Sequence, residues 1–160
     1  ETWDKPGSSM NHCMFGHIQE WFQESIVGIR QAPGSVALNR LLLRPEPVGD
    51  LTSAAGYYDS VRGQIKSRWW IKDGQFFWRI TVPPNVTAEA HVPTIEATAV
   101  TEGGRPADTA QGVRFVRTEA ENDATGVPGR AVFSIGSGEY EFRAPLRTQT
   151  ENATVGGRQK

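Results

Sequence analysis

The sequence predicts a mainly β protein: an antiparallel β-sandwich of about eight strands preceded by one α-helix. Three observations support this prediction. A single amphipathic stretch of helical periodicity lies near the N-terminus, and short segments of strand-like composition follow it at fairly regular spacing. Turn-forming residues, rich in glycine, proline and aspartate, separate these segments.

The helix is expected over residues 11–29 and to end at Pro33-Gly34. Six large apolar residues recur there at helical spacing, namely Met14, Ile18, Trp21, Phe22, Ile26 and Ile29. A free-standing sandwich has no need of such a stripe. The helix therefore looks like the last helix of a larger domain whose other elements lie outside this chain.

A β-hairpin is the clearest strand element. Residues 64–72 and 75–82 flank Asp73-Gly74, a dipeptide suited to a type I′ turn because both of its central residues need positive φ. This turn predicts that Trp69 faces Trp78 and that Trp70 faces Phe77 across the strands. Because side chains alternate, one face forms the core with Ile65, Trp69, Ile71, Phe76, Trp78, Ile80 and Val82.

The opposite face of the hairpin is expected to place Trp70 beside Phe77, with Arg68 and Arg79 next to them. An exposed aromatic pair can be a sugar-stacking platform or a domain interface. The interface is the preferred interpretation, since the sandwich must pack against the larger domain.

The remaining strands are expected at residues 39–44, 53–60, 87–92, 112–117, 130–135 and 139–143. Gly136-Ser137-Gly138 separates the last two strands. Residues 118–129 read as a polar loop in which Glu119, Glu121 and Asp123 are solvated. These acidic residues do not have the spacing of a calcium-binding loop.

Composition excludes several classes of function. The chain has 160 residues, of which 38% are hydrophobic and 22% charged, and its formal net charge is −1. This balance gives no bias toward nucleic acid or anionic membrane, and no apolar run is long enough to cross a bilayer. With Cys13 as the only cysteine, an intramolecular disulfide is impossible. No cofactor and no metal site are expected, and the compartment is left open.

Three ordered motifs carry a family resemblance: residues 1–4 (ETWD), 9–16 (SMNHCMFG) and 20–22 (EWF). With VGI at 27–29 they resemble glycoside hydrolase family 78, the bacterial α-L-rhamnosidases. Matching pieces continue in the sandwich at residues 43–45, 57–60, 62–63, 80–85 and 136–142. The resemblance covers residues 1 to about 143. Cys13 departs from the family, which usually has an aromatic residue there, and the loop before His12 is shorter than usual.

The resemblance implies a domain organisation. Residues 1–34 would be the terminal segment and last helix of a catalytic (α/α)6 barrel that is missing from this chain. Residues 35–145 would be the C-terminal β-sandwich domain, and residues 146–160 a flexible tail.

The resemblance also implies a function and a site. The parent protein would remove terminal α-L-rhamnose from glycosides or polysaccharides with inversion, and Glu1 would match the general base. His12 would contact the sugar, Trp3 would form part of its wall, and Asn11 would hold the loop or contact substrate. The general acid would come from the missing barrel, so the isolated chain is expected to be inactive.

Two alternatives remain open at this point. The sandwich could bind carbohydrate itself through Trp70 and Phe77, or it could serve only as a structural cap. The expected partners are a rhamnose-containing carbohydrate and the missing barrel of the same polypeptide, with no nucleic acid and no membrane.

Overall fold

A computed structural model describes residues 16–121 and 128–146, which form two packed β-sheets with a short helical segment at one end. The first sheet has five strands in the order β1-β2-β6-β10-β9, and the second has six in the order β3-β4-β5-β11-β7-β8. The predicted sandwich preceded by one helix is confirmed. The described residues contain eleven strands rather than about eight.

The helical segment consists of α1 (Gly16–Trp21) and a π-helical turn (Phe22–Ile26). The strands of the first sheet are β1 (Ile29–Gln31), β2 (Arg40–Leu43), β6 (Thr87–Pro93), β9 (Val113–Glu119) and β10 (Arg130–Ile135). Those of the second sheet are β3 (Ser53–Ser60), β4 (Gly63–Lys72), β5 (Gln75–Val82), β7 (Thr101–Glu102), β8 (Arg105–Pro106) and β11 (Gly138–Pro145).

The chain alternates between the two sheets, which ties them into one unit. After β2 it enters the second sheet for β3, β4 and β5, and then returns to place β6 parallel to β2. Every other strand pair is antiparallel in the described residues. A parallel neighbour needs such a crossover, because a tight turn can join only antiparallel strands.

The helix ends at Ile26, so the prediction that it reaches residue 29 and stops at Pro33-Gly34 was wrong. Gly28 has a φ of +80°, and a Cβ atom built on it would lie 2.2 Å from the backbone nitrogen of Pro45. Only glycine fits this close approach. The backbone therefore leaves the helix here, and Ile29 begins β1. Residues 11–15, including Met14, lie outside the described residues.

The hairpin of β4 and β5 matches its prediction. Asp73 and Gly74 both have positive φ, as a type I′ turn requires. Trp69 faces Trp78 and Trp70 faces Phe77. Trp69 and Trp78 are fully buried, so the assignment of the core face is confirmed.

Three short strands escaped prediction: β1, β7 and β8, each of two or three residues. They exist because a neighbouring strand completes their hydrogen bonds, and so few residues show no periodicity of their own. β1 lies within the segment 1–34, yet it pairs with β2 of the sandwich. The first sheet therefore begins before residue 34, and the assignment of residues 1–34 to a barrel stays a prediction.

Candidate functional site

The four residues predicted to act on a sugar, Glu1, Trp3, Asn11 and His12, lie outside the described residues. Description begins at Gly16, the first residue of α1, four positions after His12.

One side of the helical segment is unusually apolar and exposed. Ile18 is 52% exposed, Trp21 49% and Phe22 50%, and these three residues are here called the helix patch. Three further large side chains are exposed on or next to β3: Tyr57, Tyr58 and Val61. A groove of about 670 Å³ runs between α1 and β3. The helical segment lines this groove with Gln19, Glu20, Gln23 and Glu24, so the helix patch lies outside the groove. An exposed apolar cluster such as the helix patch is a candidate interaction site.

The C-terminal end of the helical segment is fixed to the sandwich. Ile26 and Val27 are buried in the core, and their carbonyl oxygens accept hydrogen bonds from the sheet. The indole Nε1 of Trp69 donates to Ile26 at 2.7 Å, and the hydroxyl of Ser67 donates to Val27 at 2.7 Å. Trp78 in turn donates to the Ser67 hydroxyl at 2.9 Å. These bonds satisfy carbonyls at the helix C-terminus, which would otherwise be buried without partners.

The first sheet has an unexpected cluster of charges on the face that points away from the core. It consists of Arg44, His91, Arg117, Glu119 and Arg130 and is here called the charge cluster. Glu119 accepts hydrogen bonds from Arg44 and Arg117, each at 3.0 Å, and Nδ1 of His91 lies 3.3 Å from its carboxylate. Glu119 was predicted to lie in a solvated loop. That prediction was wrong, because β9 continues to Glu119 and pairs it with Arg130.

His91 and Arg130 are each only 2% exposed. Arg130 donates from Nη1 to the carbonyl oxygens of Pro45, at 2.9 Å, and His91, at 3.3 Å. Its Nε and Nη2 atoms, and Nε2 of His91, have no hydrogen-bond partner in the described structure. Nothing in the sequence signalled this burial, since both residues occupy the outward phase of their strands.

Burial and charge set the protonation of the charge cluster. Burial lowers the pKa of His91 below its ordinary value, although the nearby carboxylate of Glu119 opposes this. Burial lowers the pKa of Arg130 to about 10, so it stays charged at neutral pH. Burial by itself raises the pKa of Glu119. Electrostatic attraction to His91 and Arg44, together with hydrogen bonds from His91 and Arg117, has the larger effect and leaves that pKa below its ordinary value.

The second sheet presents the predicted aromatic pair on its outward side. The rings of Trp70 and Phe77 stack with centroids 5.3 Å apart and planes within 2° of parallel. The guanidinium carbons of Arg68 and Arg79 lie over the Trp70 ring at 5.9 and 5.4 Å, and that of Arg143 lies over Phe77 at 5.4 Å. These five residues are here called the arginine–aromatic face. Sequence analysis did not identify Arg143, because β11 reaches β5 only in the folded sheet.

Two classes of site are missing from residues 16–121 and 128–146. No helix in these ranges has the length and apolarity needed to span a bilayer. In the same ranges, no three His, Cys, Asp or Glu side chains come together as metal ligands would.

Comparison with known proteins gives one consistent family. Residues 28–106 match the family model described as the bacterial α-L-rhamnosidase C-terminal domain. An α-L-rhamnosidase of Streptomyces avermitilis is 35% identical over 137 residues, covering 84% of this chain and 11% of that protein.

Solved structures agree. The crystal structure of Streptomyces avermitilis α-L-rhamnosidase complexed with L-rhamnose matches with a TM-score of 0.67 and 34% identity, over 84% of this chain and 11% of that one. The α-L-rhamnosidase from Dictyoglumus thermophilum matches with a TM-score of 0.65 and 33% identity, over 84% of this chain and 14% of that one. This chain thus spans only 11–14% of the chains it matches in solved structures.

The family model covers residues 28–106, from Gly28 to the end of β8, and the relative and the solved structure each cover 84% of the chain. The sandwich of this chain therefore belongs to the bacterial α-L-rhamnosidase C-terminal domain family, and the chain is homologous to the C-terminal part of α-L-rhamnosidases.

Proposed function

We propose that this chain is the C-terminal part of a glycoside hydrolase that removes terminal α-L-rhamnose from glycosides or polysaccharides with inversion. The observation that supports this proposal is the match of 84% of the chain, at 34–35% identity, to α-L-rhamnosidases. In this proposal the sandwich, which begins with β1, is a structural domain, and the residues before β1 belong to the catalytic barrel.

Glu1 supplies the general base in this mechanism. An inverting glycosidase needs one carboxylate to take a proton from water and a second, protonated carboxyl group to assist the leaving group. The two carboxyl groups stand about 6.5–9.5 Å apart, which leaves room for the attacking water. The general acid comes from the barrel, so both groups are present only in the longer protein.

His12, Trp3 and Asn11 hold the sugar beside Glu1. Imidazole donates and accepts hydrogen bonds, which suits a ring of hydroxyl groups. The flat indole of Trp3 suits the C–H face of a pyranose, and Asn11 fixes the loop or contacts the sugar.

The sandwich holds the end of the catalytic segment in place. Ile26 and Val27 are bonded to Ser67 and Trp69 deep in the core, so the helix leaves the sandwich in a defined direction. The helix patch remains half exposed in this chain, and the barrel is the partner proposed to cover it. Positioning of this kind lets a remote domain contribute to catalysis without contacting substrate.

The test is Glu1→Gln in the full-length parent, assayed on an aryl α-L-rhamnoside. The amide keeps the shape of the side chain but cannot accept water's proton, so kcat should fall by about 10²–10⁴-fold. Asp108→Asn, at an exposed carboxylate of the sandwich, is the matched control and should keep kcat within about twofold of the parent. A near-normal kcat in Glu1→Gln would contradict the assignment of the base.

Three further measurements accompany this experiment. His12→Ala should raise KM, because it removes a contact to the sugar. With the parent enzyme, the first rhamnose anomer that NMR detects should have the configuration opposite to that of the substrate. The isolated 160-residue chain should show no hydrolysis, since it lacks the general acid.

A further inference from the structure

The arginine–aromatic face leaves little ring surface free for a neutral sugar. Trp70 and Phe77 stack on one another, and guanidinium groups of Arg68, Arg79 and Arg143 lie over the rings. A sugar that stacked on either ring would have to displace a neighbour worth roughly 0.5–1 kcal/mol per cation–π contact. The arrangement favours ligands that bind the guanidinium groups themselves.

The guanidinium groups are held in place but keep most of their hydrogen-bond donors. Nε of Arg79 donates to Glu141 at 2.7 Å, and Nε of Arg143 donates to Gln75 at 3.3 Å. Their terminal nitrogens, and the whole head group of Arg68, make no hydrogen bond or ion pair within the described residues. Stacked guanidinium groups with free terminal nitrogens are preorganised to bind carboxylate or sulfate oxygens.

Positive charge is concentrated on this side of the molecule. The outward side chains of β4, β5 and β11 include two acidic residues, Glu139 and Glu141, against five basic ones, Lys66, Arg68, Lys72, Arg79 and Arg143. The whole chain has a net charge of −1, so this excess is local. Glu141 is already paired with Arg79.

A groove adjoins Arg143 at one side of the arginine–aromatic face. It has a volume of about 410 Å³, and its lining includes Phe77, Arg143 and Glu141, whose carboxylate is paired with Arg79. This volume is in the range of small-ligand sites, which begins at about 300 Å³. Arg79 on β5 and Arg68 on β4 lie farther from this groove, across the neighbouring strands.

We propose that the arginine–aromatic face binds an anionic polysaccharide. Arg143 binds one carboxylate or sulfate group of the polysaccharide at the groove. Arg79 on β5 and Arg68 on β4 bind the next two charged groups, so the polysaccharide runs across the strands. The choice of polysaccharide among polyanions rests on the proposed function, because a glycosidase domain meets polysaccharide substrates. The sandwich then holds the parent enzyme on a charged substrate. This proposal replaces the domain-interface interpretation of Trp70 and Phe77, because the helix patch is the surface proposed to meet the barrel.

The experiment measures binding by the 160-residue chain with oligogalacturonates, dextran sulfate, neutral dextran and single-stranded DNA, by calorimetry at low and high NaCl. Oligogalacturonates test carboxylate groups and dextran sulfate tests sulfate groups. Arg143→Gln and Arg79→Gln should each weaken binding about tenfold. Arg114→Gln, which removes one exposed charge from β9 of the other sheet, should change it less than about twofold.

Binding of either anionic saccharide that falls with salt and with Arg143→Gln supports the proposal, and the saccharide that binds identifies the charged group. Three results would overturn it: no binding of either probe, equal affinity for neutral dextran, or equal affinity for DNA. Loss of binding in Arg114→Gln as large as in Arg143→Gln would also overturn it. Because this assay needs no catalysis, its outcome is independent of the Glu1→Gln test.

Discussion

On the outward side of the first sheet, arginines converge on one carboxylate, whereas on the outward side of the second sheet they lie over aromatic rings. In the charge cluster, Arg44 and Arg117 bind Glu119 above a buried His91 and Arg130. In the arginine–aromatic face, Arg68 and the terminal nitrogens of Arg79 and Arg143 stay open to solvent.

This difference shows how the same residue type serves structure on one side and remains available for binding on the other. The buried guanidinium group of Arg130 donates from Nη1 to two backbone carbonyl oxygens, while its Nε and Nη2 atoms have no hydrogen-bond partner among the described residues. A guanidinium group stacked on a ring contacts it through its flat face, and the N–H donors at its edge remain available to a ligand. The three predictions that follow test this contrast, beginning with the core that both sides share.

Trp78→Ala should have the largest effect, lowering the free energy of unfolding by about 3–5 kcal/mol, because it empties a fully buried site next to Phe76 and Phe142. Trp70→Ala, on the outward side of the same strand pair, is the matched control and should cost about 1 kcal/mol. Urea unfolding followed by circular dichroism measures both. Equal losses would mean that the outward side is as tightly packed as the core, and the contrast would fail.

Arg130→Met should lower the free energy of unfolding by about 2–3 kcal/mol. The substitution leaves the carbonyl oxygens of Pro45 and His91 without their donor, and this loss exceeds the gain from removing a buried charge. Arg68→Met on the second sheet should stay within about 0.5 kcal/mol of the parent chain. Chemical denaturation of the two variants decides the matter, and a neutral or stabilising Arg130→Met would show that this buried arginine is not structural.

The smallest effect concerns pH. Burial lowers the pKa of His91 in the folded chain, whereas in the unfolded chain His91 has its ordinary pKa of about 6.5. The unfolded state therefore takes up more protons as pH falls below about 6.5, and folding stability should decrease there by at most about 1.4 kcal/mol per pH unit for this group.

Urea midpoints between pH 7.5 and 5, a window set by that ordinary pKa of about 6.5, measure the slope. His91→Gln should flatten it, while His17→Gln, at an exposed residue of α1, should retain it. An unchanged slope in His91→Gln would assign the pH dependence to other groups.

Local patterns in the sequence were sufficient for most of the sandwich. The alternation on β4 and β5, with Asp73-Gly74 between them, determined both the pairing and the core face, because side-chain period and turn geometry act within a few residues. The motifs at residues 1–4 and 9–16 likewise suggested the family that the comparisons support. The roles of Glu1 and His12 remain predictions, since these residues lie outside the described part of the chain.

Tertiary contacts alone decided where the helix stops, which charges are buried and how the arginines are arranged. Gly28 leaves the helix because the backbone of Pro45 lies against it, and Arg130 is buried because Pro45 and His91 offer carbonyl oxygens to it. Arg143 reaches Phe77 only once β11 pairs with β5, 66 positions apart in the sequence but adjacent in the sheet. Periodicity reports on neighbours along the chain, whereas burial and charge pairing depend on partners that the sheet order brings together.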